Sequence, residues 1–189
     1  MHRISQELGL TNRLSTVNSL NVISYELSLH YFKEESFLFY GCKNTENICV
    51  LSKDLNITIN PKWLYLSLLN IWCEYSCTPR LRHAWTPDNP TLGQCSITAF
   101  LAQDIFGGKV LGLLRPDGNY HCFNQVQNVI FDLTSEQFGA EVLHYEDSEE
   151  QSRETHFARR DKLQRYNYLA SELRKFIARS SARPDYGRA

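Results

Sequence analysis

Cys95, His121 and Asp132 stand in one half of this chain in the order nucleophile, base, carboxylate. A cysteine attacks as its thiolate, so it needs a lowered pKa or a neighbouring base. An imidazole can hold the thiol proton, and a carboxylate behind it fixes the tautomer and stabilises the imidazolium. The triplet therefore points to thiol nucleophilic chemistry at a carbonyl.

Gly93-Gln94-Cys95 sits where an irregular stretch enters a helical pattern. A helix start offers unpaired N–H groups and a positive dipole end, which favour an anion. The same N–H groups suit an oxyanion developing on a substrate carbonyl, and the Gln94 amide adds a donor beside them. Gly93 lets the backbone turn sharply at this approach. Asn124, three residues beyond His121, is an alternative orienter, although strand alternation puts it on the opposite face. Upstream, Trp85, Asp88 and Asn89 are candidates to line a cleft. Core packing for Trp85 and a turn for Asp88-Asn89 are the simpler readings.

The other two members should share a hairpin. With Gln125-Val126-Gln127-Asn128 as its turn, Gln125 pairs with Asn128, and His121 then falls directly opposite Asp132. Opposed side chains on one face have Cβ atoms about 4.5–5.5 Å apart, within reach of a carboxylate–imidazole bond. A slip of one residue would separate them onto opposite faces, so this expectation depends on register.

The elements that must position these residues follow from pattern. Ile23, Tyr25, Leu27, Leu29 and Tyr31 alternate with polar residues, as a half-buried strand does. Ser36–Tyr40, Ile48–Leu51 and Leu55–Ile59 read as further strands of a small antiparallel meander. Asn60-Pro61 marks a boundary, because proline suits the first turn of a helix. The dense apolar run Trp63–Trp72 predicts a well-buried helix. Thr78–Thr91 reads as a long irregular loop, and Ser96–Phe106 as a helix ended by Gly107-Gly108. Lys109–Leu114 is a short strand, Arg115–Asn119 a turn, and Tyr120–Asn124 with Val129–Leu133 the hairpin. Leu163, Tyr166, Leu169, Leu173 and Phe176 place an amphipathic helix over Arg159–Arg179. The expected organisation is a β-rich extension over 1–60, a main α+β domain over 61–179 and a flexible tail over 180–189.

Composition bounds the function. The 189 residues carry a formal net charge of −1, which leaves no basic footprint for nucleic acid. The longest apolar run is about half of the ~20 residues a membrane helix needs, and the N-terminus lacks the apolar core of a secretory signal. Neither nucleic acid nor membrane is an expected partner, and the cytoplasm is the expected compartment. Among the six cysteines, neither Cys42 with Cys49 nor Cys73 with Cys77 has the paired spacing of a zinc site. No metal and no cofactor are expected.

Three ungapped blocks carry a resemblance. Trp85-Thr86-Pro87-Asp88-Asn89-Pro90, Gly93-Gln94-Cys95-Ser96-Ile97-Thr98-Ala99 and Gln103-Asp104-Ile105-Phe106-Gly107-Gly108 resemble the YunG-like family of small bacterial proteins. His121-Cys122-Phe123-Asn124, Asp132–Phe138 and the Tyr-rich stretch Arg165–Leu169 extend the likeness to residues 61–178, leaving 1–60 outside it. The family's members are largely uncharacterised. Its pattern is similar to papain-like and transglutaminase-like thiol enzymes, in which a Cys at a helix N-terminus faces a His and an Asp or Asn on adjacent strands. The resemblance implies that Cys95, His121 and Asp132 form one site on such a core, and it implies no substrate. Two functions are consistent with this. One is a thiol hydrolase or acyltransferase acting on a peptide, isopeptide or glutamine amide. The other is a non-catalytic module that keeps the scaffold and docks a protein partner through its N-terminal strands.

Overall fold

A computed structural model describes residues 10–11, 38–52 and 57–181. The expected strand Ile23–Tyr31 and the first two residues of Ser36–Tyr40 lie outside the described residues, and the remaining Leu38–Tyr40 forms bends and an isolated bridge instead of a strand. Among the described residues two antiparallel sheets and four α-helices follow one another. The first sheet has the order β1-β2-β3, with β1 Leu10–Thr11, β2 Val50–Ser52 and β3 Ile57–Ile59. The second, which carries the site, has the order β6-β5-β4-β7, with β4 Lys109–Leu114, β5 Tyr120–Val126, β6 Val129–Phe131 and β7 Ser148–Glu150. The chain is thus a mixed α+β protein.

Helix α1, Pro61–Leu68, starts where the sequence marks it. Proline occupies the first turn and the Asn60 side chain accepts from the Trp63 N–H at 2.8 Å, a standard N-cap. The helix is shorter than the apolar run, which continues through turns to Trp72. Helix α2, Cys95–Phe106, buries Ile97, Phe100, Leu101, Ala102 and Ile105, and Gly107 ends it at a φ of 76°. Thr78–Thr91 is not wholly irregular, because Pro79–Ala84 winds into a 3₁₀ helix. After a short α3, Arg153–Phe157, the long α4 runs Arg160–Ser181. Its inner stripe is Tyr166, Leu169, Ala170, Leu173 and Ile177. Leu163 is exposed and Phe176 only partly buried, so the stripe is rotated from the one expected.

Strand β5 explains why alternation is faint in this part of the sequence. It is buried on both faces from His121 to Asn124. Cys122 and Val126 join the main core with α2 and α4, while Phe123 joins a second cluster with Leu113 and Tyr145. A central strand covered on both sides carries a continuous apolar run instead of an alternating one.

His156, on α3, titrates inside the main core. It is buried between the rings of Phe100 and Phe157. Its Nδ1 accepts from Lys162 Nζ at 3.2 Å, and its Nε2 has no partner. Burial, together with the charges of Lys162 and Arg165, pushes its pKa down to about 3. An unfolded histidine titrates near 6.5, so the unfolded chain takes up this proton first on acidification. The stability is fully present above pH 6.5 and drains as pH falls toward 3, by roughly 1 kcal/mol per unit. Denaturant melts at pH 7, 5.5 and 4.5 should show His156→Gln, which keeps an acceptor for Lys162, losing less stability on acidification than wild type. Equal losses would place the acid sensitivity elsewhere.

Candidate active site

The hairpin that presents His121 differs from expectation in register. Val126 pairs with Val129, Gln125 with Ile130 and Asn124 with Phe131, so the turn is Gln127-Asn128 rather than one centred a residue earlier. Gln127 takes the positive φ of 55° that the turn requires. Val126 is β-branched and buried in the core, so it stays in the strand instead of entering a left-handed position. His121 is therefore not directly opposite Asp132. The difference amounts to two residues, which preserves the face and leaves Asp132 diagonal to His121, where a longer side chain still reaches. Asp132 lies just past the end of β6.

The contact itself is made. His121 Nε2 lies 2.5 Å from Asp132 Oδ2, and both side chains are almost wholly buried. Asp132 is saturated with donors. Oδ2 also accepts from the Tyr145 hydroxyl at 2.9 Å, and Oδ1 accepts from the Thr134 N–H at 2.9 Å and the Thr134 hydroxyl at 3.1 Å. A carboxylate holding this many donors has its orientation fixed. The Phe138 ring meets the imidazole edge-on at 4.6 Å. With Nε2 committed to Asp132, the neutral ring carries its proton there and Nδ1 is the acceptor.

Cys95 opens helix α2 and is partly exposed, while its thiol interacts with His121. Asn124 sets this meeting. Its amide donates to the Ala99 carbonyl at 2.8 Å and pins the helix to the strand. One helical turn back from Ala99, about 6 Å, is Cys95. Two residues back along the strand from Asn124, about 7 Å, is Cys122. Cys95 comes level with Cys122 and its neighbour His121, both of which act on the thiol. Asn124 faces away from His121 and anchors the helix; it does not orient the imidazole.

The Cys95 thiol and the His121 imidazole move each other's pKa. Burial pushes the Cys95 thiol up, but the neighbouring His121 ring and the Cys122 backbone outweigh this and leave it below the ordinary value. Burial works against the His121 imidazolium, yet the charge and hydrogen bond of Asp132, with Cys95 beyond, raise it to about 10. A lowered thiol beside a raised imidazole favours the thiolate–imidazolium pair over the neutral one. His121 Nδ1 has no hydrogen bond of good geometry, so the Cys95 contact is the loose link of the chain. Catalytic hydrogen bonds commonly tighten only when substrate is present.

The remaining candidates have definite places. Gly93 sits at φ 67°, and a Cβ there would lie 2.7 Å from Cys77 Sγ, so the loop approaches this closely only with glycine. Its N–H donates to Gln137 Oε1 at 3.3 Å, and Gln137 Nε2 donates to the Thr134 carbonyl, tying the Cys95 loop to the Asp132 loop. Gln94 is fully buried, with Nε2 donating to the Cys73 carbonyl at 3.1 Å and Oε1 unpartnered. Ahead of the first α2 bond, from Thr98 N–H to the Gln94 carbonyl, the N–H groups of Cys95, Ser96 and Ile97 form the open helix end. Trp85 Nε1 donates to the Pro90 carbonyl, and Asn89 closes a turn with Thr86, while Asp88 is exposed at its tip. Among the described residues no cluster of three or more His, Cys, Asp or Glu is arranged to hold a metal ion.

The sequence reading missed Thr134, Gln137, Phe138 and Tyr145. Asp132-Leu133-Thr134 carried a signal, since a carboxylate accepting from the N–H two residues on is an ordinary Asx turn. Tyr145 carried none, lying in a charged stretch without period.

A family model described as YunG protein matches residues 60–178. This chain belongs to the YunG family. The uncharacterized protein YunG of Bacillus subtilis (strain 168) is 43% identical over 58 residues, covering 31% of this chain. The chain spans half the length of that curated YunG relative. No solved structure matches. Cys95, His121 and Asp132 all fall inside the YunG region, as do Gly93, Gln94 and Asn124. No described helix is long and apolar enough to cross a membrane.

Proposed function

We propose that this protein is a thiol hydrolase or acyltransferase acting on an amide bond, of peptide, isopeptide or glutamine type, on a papain-like or transglutaminase-like core. One observation carries the reading: a buried carboxylate holds His121 by Nε2 while the thiol of Cys95, a partly exposed residue, has its pKa lowered by the same ring. A histidine in the core for packing alone has no need of both.

In this reading Cys95 Sγ attacks the carbonyl carbon and the developing oxyanion lies against the open N–H end of α2. The His121 imidazolium gives its proton to the leaving amine as the C–N bond breaks, leaving a thioester on Cys95. Neutral His121 then takes a proton from water or an acceptor amine that attacks the thioester and releases the acid or the new amide. Asp132 keeps its charge throughout and holds the ring. One N–H of the Gln94 amide is engaged with the Cys73 carbonyl, so in this reading the open backbone N–H groups of α2 take the larger share of the oxyanion.

The test is a panel of peptide, isopeptide and glutamine amides, read by release of amine or ammonia and by acid-quenched mass spectrometry. Tryptic fragment 83–109 holds Cys95 and no other cysteine, so an acyl adduct is assigned without ambiguity. Release should stop in Cys95→Ser and fall steeply in His121→Ala. Turnover that survives Cys95→Ser would reject Cys95 as the nucleophile.

A further inference from the structure

We infer that Tyr40, upstream of the residues the family model matches, is a positioning residue of this site that holds Asp132 and Tyr145 in place. The inference rests on the reading that Asp132 orients His121. The argument begins where β6 ends. Past Phe131 the strand no longer pairs with β5, and its next residue, Asp132, forms an isolated antiparallel bridge with Tyr40. The Asp132 N–H donates to the Tyr40 carbonyl at 3.0 Å, and the Tyr40 N–H donates to Ser135 Oγ at 2.8 Å. The segment that carries the carboxylate is thus held at Asp132 itself and, through the Ser135 hydroxyl, three residues further on by a single residue.

The side chain adds a second hold. The Tyr40 ring stacks on the Tyr145 ring with centroids 4.0 Å apart and planes 25° from parallel. Tyr145 is the residue whose hydroxyl donates to Asp132 Oδ2, the oxygen that also takes His121. Tyr40 is itself 50% exposed. Its ring therefore lies over a buried polar chain, with solvent on one side and Tyr145, Asp132 and His121 in succession on the other.

The neighbouring residues are placed for this. Phe39 turns the opposite way into the core and packs on Tyr65 at 5.3 Å, anchoring the segment. Gly41 follows at φ 81°, and a Cβ there would lie 2.3 Å from the Ile130 carbonyl oxygen. Only glycine allows the segment to approach β6 this closely.

The test is the rate of Cys95 carbamidomethylation against pH, followed on fragment 83–109, beside a thermal melt of each variant. Tyr40→Ala should raise the midpoint of the profile and slow the reaction at pH 7 by about three- to tenfold, the scale of one aromatic pair. Tyr40→Phe keeps the ring and both backbone bonds and should restore the wild-type profile. A Tyr40→Ala protein that melts lower but keeps the wild-type profile would overturn the inference and leave Tyr40 as packing. Asp132→Asn separates the two failures. If it moves the profile and Tyr40→Ala does not, only the Tyr40 inference falls. If neither moves it, the orienting role of Asp132 falls as well.

Discussion

Cys95 should be the fast-reacting thiol of a pair whose partner can be removed, and His121→Ala should take that speed away. In wild type, carbamidomethylation of Cys95 should reach half its plateau rate below the ~8.5 of an ordinary cysteine. In His121→Ala the imidazole that lowers the thiol is gone while the burial that raises it remains. The midpoint should therefore rise to the ordinary value or above it. Each unit of pKa raises or lowers the thiolate fraction about tenfold in acid solution, while a thiolate of lower pKa is about threefold less nucleophilic per unit. The net change is about threefold per unit at pH 6.

Other cysteines serve as controls in the same digest. Burial raises Cys77 to about 11, and Cys122 lies well above its ordinary value, chiefly through burial. Both should stay unmodified while Cys95 reacts. Cys73 is partly exposed, and bonds from Tyr168 and Ser76 outweigh its burial and lower it. It should react in wild type and in His121→Ala alike. A Cys95 profile unchanged by His121→Ala would remove the base from the site and, with it, the case for catalysis.

The residue types of the candidate site were legible in the sequence and much of its geometry was not, for identifiable reasons. Residue types that terminate helices are local signals, so Asn60-Pro61, Cys95 at a helix start and Gly107 were readable. The exact extent of Lys109–Leu114 was readable because a charged residue and a turn bound it. The hairpin register was not. It turned on whether Val126 belonged to the strand or the turn, which the core decides by burying it. The face survived the error because the displacement was even. Tyr145 and Tyr40 were invisible because they reach Asp132 from chain segments that pattern does not link to it, 13 and 92 residues away in sequence. Local periodicity carries no information about such contacts.

Asp132→Asn should cost more than any other conservative change at the site, and its cost should depend on pH in a stated direction. The satisfaction of Asp132 makes the argument. Oδ2 faces two donors, from His121 and Tyr145, and Oδ1 faces two from Thr134. An asparagine must place its NH₂ on one side or the other, and on either side it meets an N–H or O–H donor. Removing one partner of a buried charge pair costs about 3–5 kcal/mol, since the other is left uncompensated. For a chain of this size, about 3 kcal/mol lowers Tm by roughly 6–12 °C. The imidazole loses the charge that raises it, so the neutral ring prevails at pH 7 and Cys95 alkylation slows there.

The pH dependence follows from His121, whose folded value is raised to about 10 above an unfolded value of about 6.5. The folded state holds this proton after the unfolded state has released it. The pair's contribution is fully present below pH 6.5 and is lost as pH rises through about 10. The stability gap between wild type and Asp132→Asn, taken from denaturant melts, should be widest near pH 6 and narrow steadily toward pH 10. A gap that stayed constant over that range would mean that Asp132 holds its loop together without holding a charged His121.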